Sequence, residues 1–358
     1  MSWIFAFLGF AALILLHELG HFVAAKAVGM RVERFSVFFP PFIAKRKRGE
    51  TEYCIGAIPL GGYVKITGMN PNEEIEDEAI KARAYYLQPV WKRIVVIGAG
   101  PFVNIVVAFL ILWTLFVING SATQTQKVDS VAAGYPAAQV LVPGDQVISV
   151  DGVKGGQSAL SLQTATHRCP SDPTQGCKAA TAATVVVRRD GALRTFKLTP
   201  IYDQNVKRTR MGFSFGVDRQ DAGPFKAVEL STVAMWRVST GTISAIGRIF
   251  DAEKRKEISG LVGSYEVTRQ SFDFDITQAL NVLAIISLSL AIVNLFPFLP
   301  LDGGHIFWAL AEKVRGRPIP YRVMERASAV GFVLVLMLFA VGLTNDIGRL
   351  QGDGFGVR

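Results

Sequence analysis

The chain has 358 residues, half of them hydrophobic and only 19% charged, with 38 Lys+Arg against 29 Asp+Glu and a net charge of +9. Soluble domains carry nearer a quarter charged residues, so this composition, with a mean hydropathy of +0.32, points to membrane spans and puts the basic excess in cytoplasmic loops. No RNA- or DNA-binding signature is present, so no nucleic-acid partner is expected, and three cysteines are too few for a disulfide scaffold.

The first span covers about residues 3–28 and is apolar up to the cluster His17, Glu18 and His21 near its end. It resembles a secretory signal in length, but no basic stretch precedes it and no small-residue cleavage site follows, so it is read as retained. On a helix His17 and His21 fall about 40° apart on one face, one turn apart, where two imidazole nitrogens can meet one Zn²⁺. Glu18 points about 100° away and can reach a water beside the metal without ligating, as a general base must. The alternative is a polar stripe on a bundled helix. Ionisable groups inside an apolar span cost several kcal/mol, and such a cost normally marks function.

The segment up to the second span (94–118) carries Arg31, Arg34, Lys45-Arg46-Lys47-Arg48, Lys81, Arg83, Lys92 and Arg93, which makes it cytoplasmic. Within it Ile58–Ile66 alternates around Gly61-Gly62, so 55–69 is predicted to be a membrane-associated hairpin near the active site. Its edge offers an extended substrate a place to add as a strand. A short structural hairpin fits the same pattern.

Within residues 119–220, Val128–Pro200 is strand-like, with turn signals at Pro143-Gly144-Asp145, Asp151-Gly152 and Asp190-Gly191. Residues 221–278 are predicted to be an amphipathic helical linker: Phe225–Phe250 has helical apolar spacing interrupted by Glu229, Arg237 and Arg248, and a charged break from Asp251 to Glu257 follows. Spans three (280–301) and four (327–343) complete the core, separated by a loop with Lys313, Arg315, Arg317, Arg322 and Arg326. Four spans with basic loops inside place both termini and residues 119–278 outside.

A catalytic zinc takes three protein ligands and keeps one position open. Asp302 is the best third ligand, in a stretch where Pro297, Pro300, Gly303 and Gly304 are expected to unwind the helix. Broken backbone at membrane depth is tolerated where protein or a water-filled cavity satisfies it. His17 lies roughly 21 Å inward of Trp3 at 1.5 Å per residue, and Asp302 ends a span running the same way, so both belong toward the cytoplasmic leaflet. His305 offers another nitrogen, for which a structural or supporting role is expected.

The motifs His17-Glu-Leu-Gly-His21, Ala99-Gly-Pro-Phe-Val-Asn104 and Asn294-Leu-Phe-Pro-Phe-Leu-Pro-Leu-Asp-Gly-Gly-His305 together resemble the site-2 protease family of intramembrane zinc metalloproteases. The likeness is to the bacterial regulator-of-sigma-E proteases and their single-PDZ relatives, and Arg31–Phe35, Gly49–Tyr53 and Ile58–Lys65 share it. The resemblance implies His17, His21 and Asp302 as ligands and Glu18 as base. It implies that Asn294 holds the substrate backbone or oxyanion, and that Asn104 supports the core. It also implies substrates that are pre-trimmed single-pass membrane proteins, such as anti-sigma factors or remnant signal peptides. The chain departs in having one PDZ-like unit, in the position of Pro300, and in Gly260-Leu-Val-Gly263 where many relatives read Gly-Pro. Val128–Ala138 and Leu141–Gly152 resemble a PDZ domain, with Thr184–Arg189 and Arg194–Thr199 as its closing hairpin and a Ser/Thr/Ala-rich insert over 155–180.

The expected architecture is an α-helical polytopic membrane protein of four transmembrane helices, with a membrane-associated β-hairpin and an inserted extracytoplasmic PDZ-like α+β domain. Its parts are a first core half (1–118), the PDZ-like domain (119–220), the linker (221–278) and a second core half (279–358), multi-pass in the inner (plasma) membrane. The expected activity is peptide-bond hydrolysis in or next to transmembrane segments. A non-catalytic PDZ membrane scaffold is the alternative, but it would have lost Glu18 or the third ligand. A metal transporter would show more intramembrane acids and a repeated span pattern. Cys169 and Cys177 lie in the segment placed outside, where a bridge can persist, and Cys54 lies on the reducing side.

Overall fold

The computed structural model describes the chain except for residues 60, 71–72, 171–173, 205–207, 248–250, 252–259 and 352–358. Two compact units emerge, one built from Met1–Ile118 with Pro224–Arg358 and the other from Asn119–Gly223.

In chain order the first unit opens with α1 (Ser2–Ala27), β1 (Val32–Val37), β2 (Phe39–Arg48), β3 (Thr51–Ile58), β4 (Tyr63–Ile66), α2 (Glu78–Lys81) and α3 (Val90–Asn119). The second unit contributes β5 (Ser121–Val131), β6 (Gln146–Val150), α4 (Gln157–Ala165), β7 (Ala183–Arg189), β8 (Ala192–Leu198), β9 (Ile201–Asp203), β10 (Arg208–Arg210) and β11 (Phe213–Gln220). The first unit then resumes with α5 (Pro224–Gly247), α6 (Leu261–Phe274), α7 (Ile276–Asn294), α8 (Asp302–Arg315) and α9 (Tyr321–Gln351).

Four of these helices, α1, α3, α7 and most of α9, are long and apolar enough to cross a bilayer, with 26, 30, 19 and 30 residues. Much of their apolar surface meets no protein: Ile4 is 61% exposed, Phe102 63% and Val330 63%. Apolar surface on that scale requires a non-aqueous partner. The chain is therefore an integral membrane protein carrying β-sheet regions.

Three details of the first unit differ from the sequence reading. Residues 55–69 do not form a hairpin. The sheet order is β2-β3-β1-β4, with β3 parallel and β4 antiparallel to β1. Alternation marks a strand without naming its partner; β3 and β4 each pair with β1 and not with one another, and Leu60 lies outside the described residues. The expected linker is not a separate element, since α5 and α6 belong to the helical unit and α6 packs on α1, α7 and α9. The charged break falls largely outside the described residues. Lastly, Gly303 and Gly304 do not unwind a helix. They lie inside α8, where a Cβ on Gly304 would meet Phe298 backbone at 2.6 Å and one on Gly303 would strike Leu295. The break itself lies between α7 and α8, across the prolines.

A core of Ala25, Met30, Val32, Ile66, Tyr85, Val96 and Ile97 ties the sheet to α1 and α3. This packing carries β4 to the His-bearing face of α1.

The second unit is a five-stranded antiparallel sheet, β11-β5-β6-β7-β8, with a β9–β10 ribbon. Val185 and Val187 alternate into a core with Val128, Val147, Val150, Leu160 and Leu198. Asp190 and Gly191 both take positive φ at the β7–β8 turn, the two-residue geometry that Asp-Gly favours. The expected insert begins as the helix α4, whose buried Leu160 and Thr164 are one turn apart. Cys169 and Cys177 are joined by a disulfide with Cα atoms 6.2 Å apart, and Cys54 is free and buried.

Candidate metal centre

α1 carries His17 and His21 on its buried face. Opposite them α3 approaches closely because Gly20 and Gly100 have no side chains. A Cβ on Gly20 would lie 2.6 Å from the Ala99 carbonyl oxygen, and one on Gly100 would strike the His21 ring and reach His17 at 2.9 Å. α8 supplies Asp302 in its first turn, and an ion pair of 2.9 Å between Arg93 and Glu312 pins that helix to α3.

The three donors converge. His17 Nε2 and His21 Nε2 are 3.3 Å apart, and Asp302 Oδ2 lies 3.2 Å from the first and 3.4 Å from the second. Among the described residues these are the group whose donor atoms could hold a metal ion.

Their chemistry favours a cation at the centre. His21 Nδ1 donates to the Val96 carbonyl oxygen at 2.9 Å, a partner that can only accept, which leaves Nε2 as a lone pair. Asp302 Oδ2 is buried with no hydrogen-bond partner. Lone pairs facing one another away from water are unfavourable without a positive charge between them. Tetrahedral zinc with bonds of about 2.0–2.1 Å sets neighbouring ligands roughly 3.3–3.4 Å apart, the spacing found here. The residues fit zinc.

Glu18 lies in the same cavity, of about 540 Å³, with Ile14, Tyr63, Leu290 and Asn294. Gly62 lets the sheet approach it, since a Cβ there would come within 3.2 Å of Glu18 Cγ. Asn294, the last residue of α7, places Nδ2 3.4 Å from His17 Nε2. Asn104 is fully buried, with Nδ2 3.3 Å from His17 Nδ1. His305 is on the cavity wall and outside the ligand group. Of the residues singled out from sequence, His17, Glu18, His21, Asn294, Asp302 and His305 line one cavity, and Asn104 lies behind it against His17.

Sequence reasoning missed Gly100, the Val96 carbonyl and Leu261. The Gly-Pro pair in Ala99–Asn104 was visible, but its closeness to the imidazoles depends on how α3 crosses α1.

The sequence profile described as Peptidase family M50 matches residues 5–338. The chain belongs to this family, the site-2 proteases. Relatives named "Putative zinc metalloprotease" agree. One from Clostridium perfringens is 31% identical over 97% of this chain and 98% of its own length. One from Rhizobium meliloti is 29% identical over 95% and 94%, and one from Campylobacter jejuni 29% over 95% and 92%. The protein is a membrane zinc metalloprotease that acts on protein substrates in a bilayer setting.

Proposed function

We propose that this protease cleaves peptide bonds within or next to the transmembrane segments of single-pass membrane proteins, with His17, His21 and Asp302 as its zinc ligands. The observation that carries the reading is the convergence of those three donors beside Glu18 in one cavity walled by apolar, membrane-length helices. A zinc ion held there supplies Lewis acidity toward the scissile carbonyl and makes water a competent nucleophile near neutral pH. Glu18 takes the proton from the attacking water and delivers it to the departing amine. Asn294 Nδ2, beside His17, donates to the carbonyl oxygen as negative charge develops there.

A helical transmembrane substrate hides its scissile amide in intrahelical hydrogen bonds. Strand β4 is an edge of its sheet, and its residues Tyr63, Val64 and Ile66 line the cavity. An unwound substrate adding to that edge would present its backbone beside Glu18. Basic loops support a multi-pass inner-membrane topology with both termini and the 119–220 unit outside and the active site toward the cytoplasmic leaflet. That unit reads as a PDZ-like domain that binds or filters substrates already trimmed outside, such as anti-sigma factors or signal-peptide remnants.

The test is a single-pass reporter substrate incubated with purified protein in lipid. Glu18→Gln keeps size and all three ligands, so zinc content by elemental analysis should stay near wild type while cleavage falls by orders of magnitude. Near-normal cleavage by that variant would sink the mechanism.

A further inference from the structure

Helix α6 begins at Gly260-Leu261 without a side-chain cap of its own. The first N–H groups of a helix have no intrahelical partner, and among apolar helices no water replaces it. Here the carboxylate comes from α9. Asp346 Oδ1 accepts the Gly260 N–H at 3.0 Å and Oδ2 accepts the Gly263 N–H at 2.7 Å. Asp346 is fully buried, and a negative charge at a helix start is also favoured by the helix dipole. The approach depends on glycine. A Cβ on Gly260 would lie 2.7 Å from the Gly342 backbone and 2.8 Å from Asp346 Oδ2. One turn further along α6, Tyr265 packs its ring at a tilt against Trp3 of α1, with centroids 5.8 Å apart, and donates from its hydroxyl to the Trp3 carbonyl.

The residue next to the capped glycine faces the chemistry. Leu261 is 48% exposed, and it lines the cavity with Ile14, Glu18, Leu290 and Asn294. We infer that Leu261 is a specificity-determining wall of the cleavage cavity, limiting the size of the substrate side chain admitted beside the scissile bond. Asp346 is the positioning residue that holds this wall in place from α9. The inference rests on the proposed cleavage at this cavity. Asp346 touches no reacting atom; it sets where the first turn of α6 sits, and so how much room Leu261 leaves.

The experiment uses full-length protein in lipid and a reporter series with Ala, Leu or Phe next to the mapped cleavage point. Leu261→Ala should raise the Phe-to-Ala ratio of kcat/KM on the order of tenfold, the scale of a few methylenes in a pocket, and Leu261→Trp should lower it. Asp346→Ala should shift the ratio in the same direction as Leu261→Ala. The double variant should shift it no further than Leu261→Ala alone, because both changes act on one wall. Asp346→Asn keeps one acceptor oxygen and should fall between wild type and Asp346→Ala, which supplies a reading if the alanine variant folds poorly. An unchanged ratio in Leu261→Ala overturns the wall. A lower total activity with unchanged ratio in both Asp346 variants overturns the positioning role. Wild-type protein that cleaves no member of the series, with zinc bound, would overturn the protease reading and this one together.

Discussion

Gly100 on α3 lies so close to the imidazole of His21 on α1 that a methyl group at that position would collide with Nε2. The contact links two helices whose residues are far apart in sequence, and the atom it crowds is a metal-facing donor. Backbone and ring are already in contact, so relief requires the ring to rotate or α3 to withdraw.

Gly100→Ala should therefore displace His21 and lower bound zinc well below one per chain, with loss of cleavage. The helix itself should tolerate alanine, which is favoured over glycine there by about 1 kcal/mol. Zinc stoichiometry with helical content from circular dichroism tests this. Full zinc with normal cleavage would show that the crowding is harmless.

Asn104 gives a second, milder lever. Its amide meets His17 Nδ1 at 3.3 Å while its Oδ1 is buried without a partner. For His17 Nε2 to ligate, Nδ1 must carry the proton and donate it, so the amide oxygen belongs on that side when metal is bound. Asn104→Ala should weaken zinc affinity about 10–100-fold, the usual effect of removing such a partner, and leave cleavage measurable at saturating zinc. Competition with a graded chelator reads the affinity directly, and an unchanged affinity would remove Asn104 from the site.

How much of this was legible in the sequence divides along a physical line. The His17–His21 spacing and the two prolines before Asp302 act within a few residues, so helix periodicity and proline chemistry reveal them. The four spans are legible because each apolar run must cross the bilayer unaided. The 55–69 segment was misread because the partner of both its strands is β1, and alternation shows that a strand exists without showing which strand it pairs with. Gly100 beneath His21 and Asp346 at the start of α6 are contacts between distant segments, so no local pattern carries them. α4 was hidden because nine residues with Leu160 and Leu162 as their only large apolar side chains are too few to show an apolar period, and burial of Leu160 and Thr164 against the sheet decides it.

In the β unit, Asp145 and Arg189 form a two-point ion pair at 2.6 and 2.7 Å, with the Asp145 side chain fully buried. The Arg189 guanidinium and the Val142 N–H hold the Asp145 carboxyl below the usual carboxylate range. A depressed folded value adds stability that is fully present above the unfolded value of about 3.9 and is lost as pH falls through the lower folded value. The unit should thus loosen below about pH 4. Asp145→Ala, which leaves Arg189 without its partner, should cost about 3 kcal/mol at neutral pH. Amide exchange at Val147, Val185 and Val187 in the intact protein measures both effects. Unchanged protection in the variant would mean the pair adds nothing to the sheet.

The bridge between Cys169 and Cys177 closes a loop with seven residues between the two cysteines. On either side of it the chain is tied by backbone bonds, from Ala180 N to Arg168 O at 2.9 Å and from Ala179 N to Pro200 O at 2.8 Å. The first of these bonds closes the base of the loop and the second anchors it to Pro200, so the bridge constrains an excursion whose base is already closed. Loop-closure entropy for so short a ring stabilises by roughly 2.5 kcal/mol, which is modest because the ring is small. Peptide mass spectrometry of unreduced, alkylated protein should recover the two cysteines as one linked peptide and Cys54 alkylated only after unfolding, since it is buried. Reduction should raise amide exchange between residues 166 and 180 while Val185 and Val187, in the sheet core, keep their protection. Recovery of both thiols alkylated without prior reduction would show that the pair is open in the cell. Loss of protection across the whole sheet on reduction would show that the loop supports the unit rather than decorating it.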